Sequence, residues 1–127
     1  MSSLRNPLKT ARGLGSAKDG TSHFVHQRLT AIALVFLGLY FVGLVVCGAV
    51  GGYDAVHGAI AHHPANAVLI IAFVIAMCWH GTLGVQVVIE DYVHSGWGIA
   101  FQLLNRFVFA IVAIAGVLSV IRIALGN

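Results

Sequence analysis

Three long apolar runs, almost free of charge, leave this chain few ways to fold. They lie at about residues 29–52, 65–89 and 107–125. The first holds no charged side chain. The second contains His80 and Gln86 as strongly polar members. The third has one charge, Arg122, near its end, where the side chain can snorkel to an interface. At about 1.5 Å per residue, each run is long enough to cross a hydrocarbon layer of about 30 Å. Backbone amides have no water to bond inside lipid, so helices are the default. The expected fold is therefore all-α, a membrane protein with three transmembrane helices. Composition agrees: 59% of the side chains are hydrophobic, only 9% are charged, and the mean hydropathy is +0.94. A soluble domain of this size needs more polar surface. Three spans use up most of the 127 residues, which leaves room for one domain.

Charge sets the orientation. Arg5, Lys9, Arg12, Lys18 and Arg28 all precede the first run, and only Arg106 and Arg122 follow. The link at 52–64 carries Asp54, His57, His62 and His63 but no Lys or Arg. The link at 90–106 carries Glu90 and Asp91 and ends in Arg106. The positive-inside rule then puts the N-terminus and the second link in the cytoplasm, and the first link and the C-terminus outside. Residues 1–28 read as a cytoplasmic N-terminal arm and 29–125 as a three-helix anchor domain. The arm suits an anionic membrane surface. Nucleic acid is a poor fit, since most of the chain would be insoluble in water. Residues 1–16 are basic, contain serine and lack acids, as a mitochondrial transit peptide can be. Their shortness, Pro7 and the glycines favour a retained arm, and a cleaved secretory signal would need an apolar core. Tyr53, Tyr92 and Trp97 fall near the span ends, as interfacial aromatics do. Cys47 and Cys78 form no metal-like spacing and read as small residues buried between helices. Gly38, Gly43, Gly48, Gly81 and Gly84 read first as helix-packing positions; the two after His80 can also make room for a flat ligand.

His80 is the most informative residue. It stands about nine residues from the cytoplasmic end of the second run, and no acid in the other two runs is available to pair with it. A polar group at that depth is costly without a partner. Neutral imidazole is a good ligand for heme iron. A hydrogen bond to a neighbouring helix carbonyl would equally satisfy the ring, and position alone does not choose. No other histidine lies within the three runs: His23 and His26 precede the first, His57, His62 and His63 lie in the outer link, and His94 follows Tyr92. If His80 ligates a low-spin heme b, its second imidazole should come from another polypeptide. His62 and His63 beside Pro64 read as a solvated turn.

Asp91 follows His80 by 11 residues, nearly three helical turns, so the two project from one face about 16 Å apart. The acid–phenol pair Asp91-Tyr92 can hydrogen-bond a quinone carbonyl and deliver protons. From the residues alone the plainer reading is favoured, in which Asp91 caps or solvates the helix end and Tyr92 anchors it at the interface. Arg28, where the arm meets the first run, suits a heme propionate. It suits headgroup phosphates just as well.

The sequence resembles a known family in two places. Residues 13–21, followed by His23-Phe24 and Gln27-Arg28-Leu29-Thr30-Ala31-Ile32, look like the approach to the first span of the small hydrophobic anchor of bacterial succinate dehydrogenase. His80-Gly81 and Gln86-Val87-Val88-Ile89-Glu90-Asp91-Tyr92-Val93 are similar to its second-span signature. The resemblance covers about residues 13–125; the histidine followed by Asp-Tyr is its specific part, and the third span is generic. It implies that His80 is an axial ligand of heme b, that Tyr92 hydrogen-bonds ubiquinone with Asp91 beside it, and that Arg28 lies near the propionates and the quinone. Some relatives carry a histidine six residues before that arginine, where this chain has Ser22, with His23 and His26 close by.

The resemblance further implies a respiratory complex in the bacterial inner membrane, or alternatively the mitochondrial one. Succinate is oxidised on a flavoprotein subunit carrying FAD. Electrons pass through an iron–sulfur subunit to ubiquinone at the anchors, and a second anchor subunit completes the heme. This chain would not be an enzyme alone: it lacks a Gly-rich dinucleotide fingerprint and a cysteine cluster. Three rivals are the anchor of a fumarate reductase, a cofactor-free structural or assembly subunit, and a small transporter or channel component. The last has little support without an intramembrane acid.

Overall fold

A computed structural model describes residues 20–93 and 96–126. The basic arm up to residue 19, and with it residues 13–19 of the first resemblance, lies outside the described residues, as does His94. The described residues form three helices: α1 Gly20–Ala61, α2 Pro64–Tyr92 and α3 Trp97–Ala124. All three are long and apolar enough to cross a membrane. The expected runs at 29–52 and 65–89 lie within α1 and α2, and the run at 107–125 lies within α3 except for its last residue, Leu125.

The helices outlast the apolar runs because nothing in the flanking sequence stops them. α1 begins at Gly20, so the residues around Arg28 are already helical. Much of the link at 52–64 is helical too. α1 breaks only at Gly52, whose φ of 77° and ψ of −174° lie outside helical space. Glycine reaches that positive φ without a Cβ clash. The chain resumes a helix beyond it and carries Ile60 back into the bundle. Pro64 then opens α2, where its missing N–H costs no helical bond. The Asn66 amide ties the turn by donating to Ala59 O at 2.8 Å.

α2 is the middle element, packed on both neighbours, while α1 and α3 meet only slightly. The buried core is small: Ile60, Ala67, Ile70 and Val120, flanked by Tyr40, Leu44, Val56 and Val74. It sits at the end of the bundle that holds the α1–α2 turn. Large apolar side chains such as Phe36 and Ile99 point outward, as lipid-facing ones do. Cys78 is buried, but Cys47 is exposed on the outer side of α1 rather than set between helices.

Toward the other end, α2 and α3 are joined by close approach and one polar contact. A Cβ on Gly81 would lie 2.6 Å from the Phe109 ring, so this glycine serves packing against α3. Asn105, 8% exposed, donates from Nδ2 to Thr82 O at 3.0 Å. An interhelical hydrogen bond in a membrane bundle contributes on average about 0.6 kcal/mol and at most about 1.7. Asn105→Ala should therefore lower stability by that order, read as an earlier thermal unfolding midpoint in detergent. An unchanged midpoint would show that the contact carries no weight.

Candidate functional site

His80 lies near the middle of α2, on the side turned toward α1. Three polar residues of α1 share the opposing face: His23, Gln27 and Thr30, at helical spacing and all half-buried, whereas Phe24, Val25, His26, Arg28 and Leu29 among them are exposed. Two of the three reach the imidazole. Thr30 Oγ1 lies 3.0 Å from His80 Nδ1. Gln27 Nε2 lies 3.5 Å from His80 Nε2. The Thr30 hydroxyl also lies 2.8 Å from His26 O and 3.1 Å from Gln27 O within its own helix. The ring is thus held by side chains, and not by a neighbouring helix carbonyl.

Two polar atoms on this face are buried without a hydrogen-bond partner, His23 Nε2 and Gln27 Oε1. Buried polar atoms are nearly always paired, so such orphans mark places where a further polar group fits. Gly84, one turn after His80, meets only the Gln27 amide, at 3.8 Å from an added Cβ. The two glycines after His80 therefore differ: Gly81 packs on α3, and Gly84 faces the Gln27 amide of α1.

The other residues singled out in the sequence do not contact the His80 ring. Asp91 and Tyr92 are the last two residues of α2, both exposed, with the Tyr92 side chain 81% accessible. Neither has a side-chain hydrogen bond to another described residue. Asp91 is about 16 Å along the axis from His80, at about 1.5 Å per residue. Nearby, Glu90 accepts from Gln86 Nε2 at 2.9 Å and from Gln102 Nε2 at 3.3 Å, which links the ends of α2 and α3. Arg28 follows Gln27, and its guanidinium lies 4.9 Å from the centre of the Phe24 ring one turn earlier. His26 stacks on Trp79 with ring centres 6.0 Å apart, so it adjoins the neighbour of His80 and not His80 itself. His57 lies against Tyr53 near the Gly52 break, and His62 and His63 are exposed at the turn. No cluster of three or more histidine, cysteine or acidic residues that could hold a metal occurs among the described residues. A single imidazole facing a partly unsatisfied polar surface is what one chain can offer to a shared ligand.

The comparison with protein families decides the lineage. A model of the succinate dehydrogenase/fumarate reductase transmembrane subunit matches residues 2–121. The chain belongs to that family. The hydrophobic membrane anchor subunit of succinate dehydrogenase from Paracoccus denitrificans is 34% identical over 123 residues, covering 94% of this chain and 92% of the relative. The subunit of the same description from Rickettsia bellii is 31% identical over 108 residues, covering 85% and 82%. No solved structure matches. Membership explains the three apolar helices: this anchor-family chain is a multi-pass membrane protein.

Sequence reasoning had His80, Asp91, Tyr92 and Arg28 in view but not Gln27 and Thr30 as partners of the imidazole. A signal was present. Two hydrogen-bonding residues three apart, at the mouth of an apolar run, mark a face with polar business. Their partner lies 50 residues away, and no spacing rule reaches that far.

Proposed function

We propose that this chain is the small anchor of a bacterial inner-membrane succinate:ubiquinone oxidoreductase, with its arm and the α2–α3 turn on the cytoplasmic side. His80 provides one axial ligand to heme b. Asp91 and Tyr92 belong to the ubiquinone site, and Arg28 lies near the propionates. The observation that carries this reading is the His80 imidazole, held near the middle of α2 beside the orphaned Gln27 and His23 atoms, in a chain of this family.

The residues fit the group. A neutral imidazole can be buried without charge, and among the described residues the His80 Nε2 faces only a long contact from an amide. His80 is one imidazole, and a low-spin heme b would take two, so a second anchor subunit would supply the other ligand. When bound, the heme would supply a one-electron redox centre. His80 holds its place, and the apolar walls of α1 and α2 exclude water from it. Tyr92 donates a hydrogen bond from Oη to a quinone carbonyl and polarises it. Asp91, open to the aqueous edge, relays water-derived protons for a reduction that takes up two protons and two electrons, the electrons arriving from the iron–sulfur subunit. Arg28 turns from the Phe24 ring toward a carboxylate, since a paired ion contact outweighs an exposed ring contact of about 0.5–1 kcal/mol. FAD and the iron–sulfur clusters belong to the flavoprotein and iron–sulfur subunits.

Affinity purification of the tagged chain from mildly solubilised membranes tests the assembly. The expected result is a flavoprotein, an iron–sulfur protein and a second membrane anchor in equal amounts, with a reduced heme b spectrum. Recovery of the chain without these partners would overturn the reading. Fumarate reduction by a menaquinol donor faster than succinate oxidation by ubiquinone would move the chain to the fumarate reductase branch of the family.

A further inference from the structure

We propose that Thr30 is the positioning residue for His80: it accepts the Nδ1 proton across the α1–α2 seam and so presents the Nε2 lone pair to the bound group, while Gln27 covers that nitrogen until the group arrives. The inference rests on the reading of His80 as a heme ligand and adds which ring nitrogen binds and what holds it.

The hydroxyl of Thr30 has one proton. The carbonyl of His26, four residues back, is its nearest acceptor at 2.8 Å, and Gln27 O is second at 3.1 Å. Threonine inside a helix characteristically directs its hydroxyl proton to such a carbonyl. The lone pairs of Oγ1 then remain for His80, 3.0 Å away, and Nδ1–H donates to them. A neutral imidazole protonated at Nδ1 has its lone pair at Nε2. Metal-bound histidines follow this pattern: the distal ring N–H is given to a fixed acceptor, which sets the tautomer, the ring plane and the basicity of the ligand.

On the Nε2 side the only described contact is the Gln27 amide, at the 3.5 Å limit of a hydrogen bond. The other end of that amide, Oε1, is buried and unpaired. The carboxamide therefore gains little where it stands. Beneath it Gly84 offers no side chain, only room. The two contacts of the ring are unequal: Thr30 grips, and Gln27 yields.

An ordinary packing bond between Thr30 and His80 would affect assembly alone. A positioning bond also tunes the metal. An acceptor on Nδ1–H makes imidazole a stronger donor and favours the oxidised iron, so its loss raises the midpoint potential. The test uses the assembled complex with Thr30→Val, which keeps the shape and removes the hydroxyl, and Thr30→Ser, which keeps the hydroxyl. The heme b potential is read by optical redox titration, ligation by the low-spin ferric resonance spectrum, and heme retention by loss on washing. Thr30→Val should raise the potential, shift the resonance and speed heme loss by about 10-fold or more. Thr30→Ser should restore the parent values.

A Thr30→Val complex with the parent potential and spectrum would overturn the proposal, as would a Thr30→Ser complex shifted equally. Should Thr30→Val fail to assemble, Thr30→Ala removes the same acceptor with less bulk, and a parent-like potential there overturns it as well. His80→Ala separates the two levels. Heme kept at the parent level and low-spin in His80→Ala removes the underlying ligand reading. Heme lost in His80→Ala with an unaltered Thr30→Val removes only the role of Thr30.

Discussion

His80→Ala is expected to abolish the heme b absorption of the assembled complex while leaving the flavoprotein and iron–sulfur subunits attached. The size of the effect separates the two ways of reading a histidine at this depth. As a structural residue, His80 contributes its contacts to Thr30 and Gln27. Contacts of this kind in membrane bundles are worth about 0.6 kcal/mol each on average. Losing both would trim stability slightly and leave the spectrum alone. As an axial ligand, His80 supplies a bond to iron that neither of its contact residues, Thr30 and Gln27, replaces. His26 is turned to Trp79, and Gln27 is a poor ligand for heme iron. The variant should then contain heme only in traces, or hold it high-spin on the partner's imidazole. A complex with parent heme content and a low-spin spectrum would refute the ligand assignment, whatever its stability.

The second large effect is expected at the end of α2. Tyr92→Phe should lower ubiquinone reduction by about 100-fold, the usual order for removing one hydrogen-bond donor or proton-transfer group from a reacting carbonyl. Succinate oxidation with a soluble artificial acceptor should persist, because that acceptor does not need the membrane site. The substitution is discriminating. Phenylalanine keeps the ring that an interfacial anchor uses and removes only the hydroxyl. If Tyr92 merely anchors the helix end, both rates stay at the parent level. If it supports the attachment of the catalytic subunits, both fall together. Only a selective loss of quinone reduction fits a phenol bonded to the quinone. The geometry allows this role: Tyr92 closes α2, is 81% exposed in the chain alone, and has no side-chain hydrogen bond among the described residues.

The secondary structure was legible for a simple reason. In lipid each amide must find its partner locally, so a 25-residue apolar run has little alternative to a helix. The helix ends were less legible. Hydropathy reports where a chain prefers lipid, and helices continue past that limit wherever the next residues tolerate them. α1 runs nine residues ahead of the expected span, from Gly20 rather than residue 29, and the link at 52–64 is largely helix after one break at Gly52. Burial was partly misjudged. Cys47 and Cys78 look alike in sequence, but only Cys78 is buried, because it faces another helix and Cys47 faces outward.

The sequence alone determined that the chain spans a membrane three times, that one histidine lies deep in the second apolar run, and that an acid and a phenol follow it about three turns later on the same helix. These properties are local, set by hydropathy and the helical repeat. The tertiary structure decided what meets that histidine. Thr30 and Gln27 approach His80 through the rotation and depth of α1 against α2, which depend on side-chain packing along the whole seam. No periodicity within one helix records the register between two.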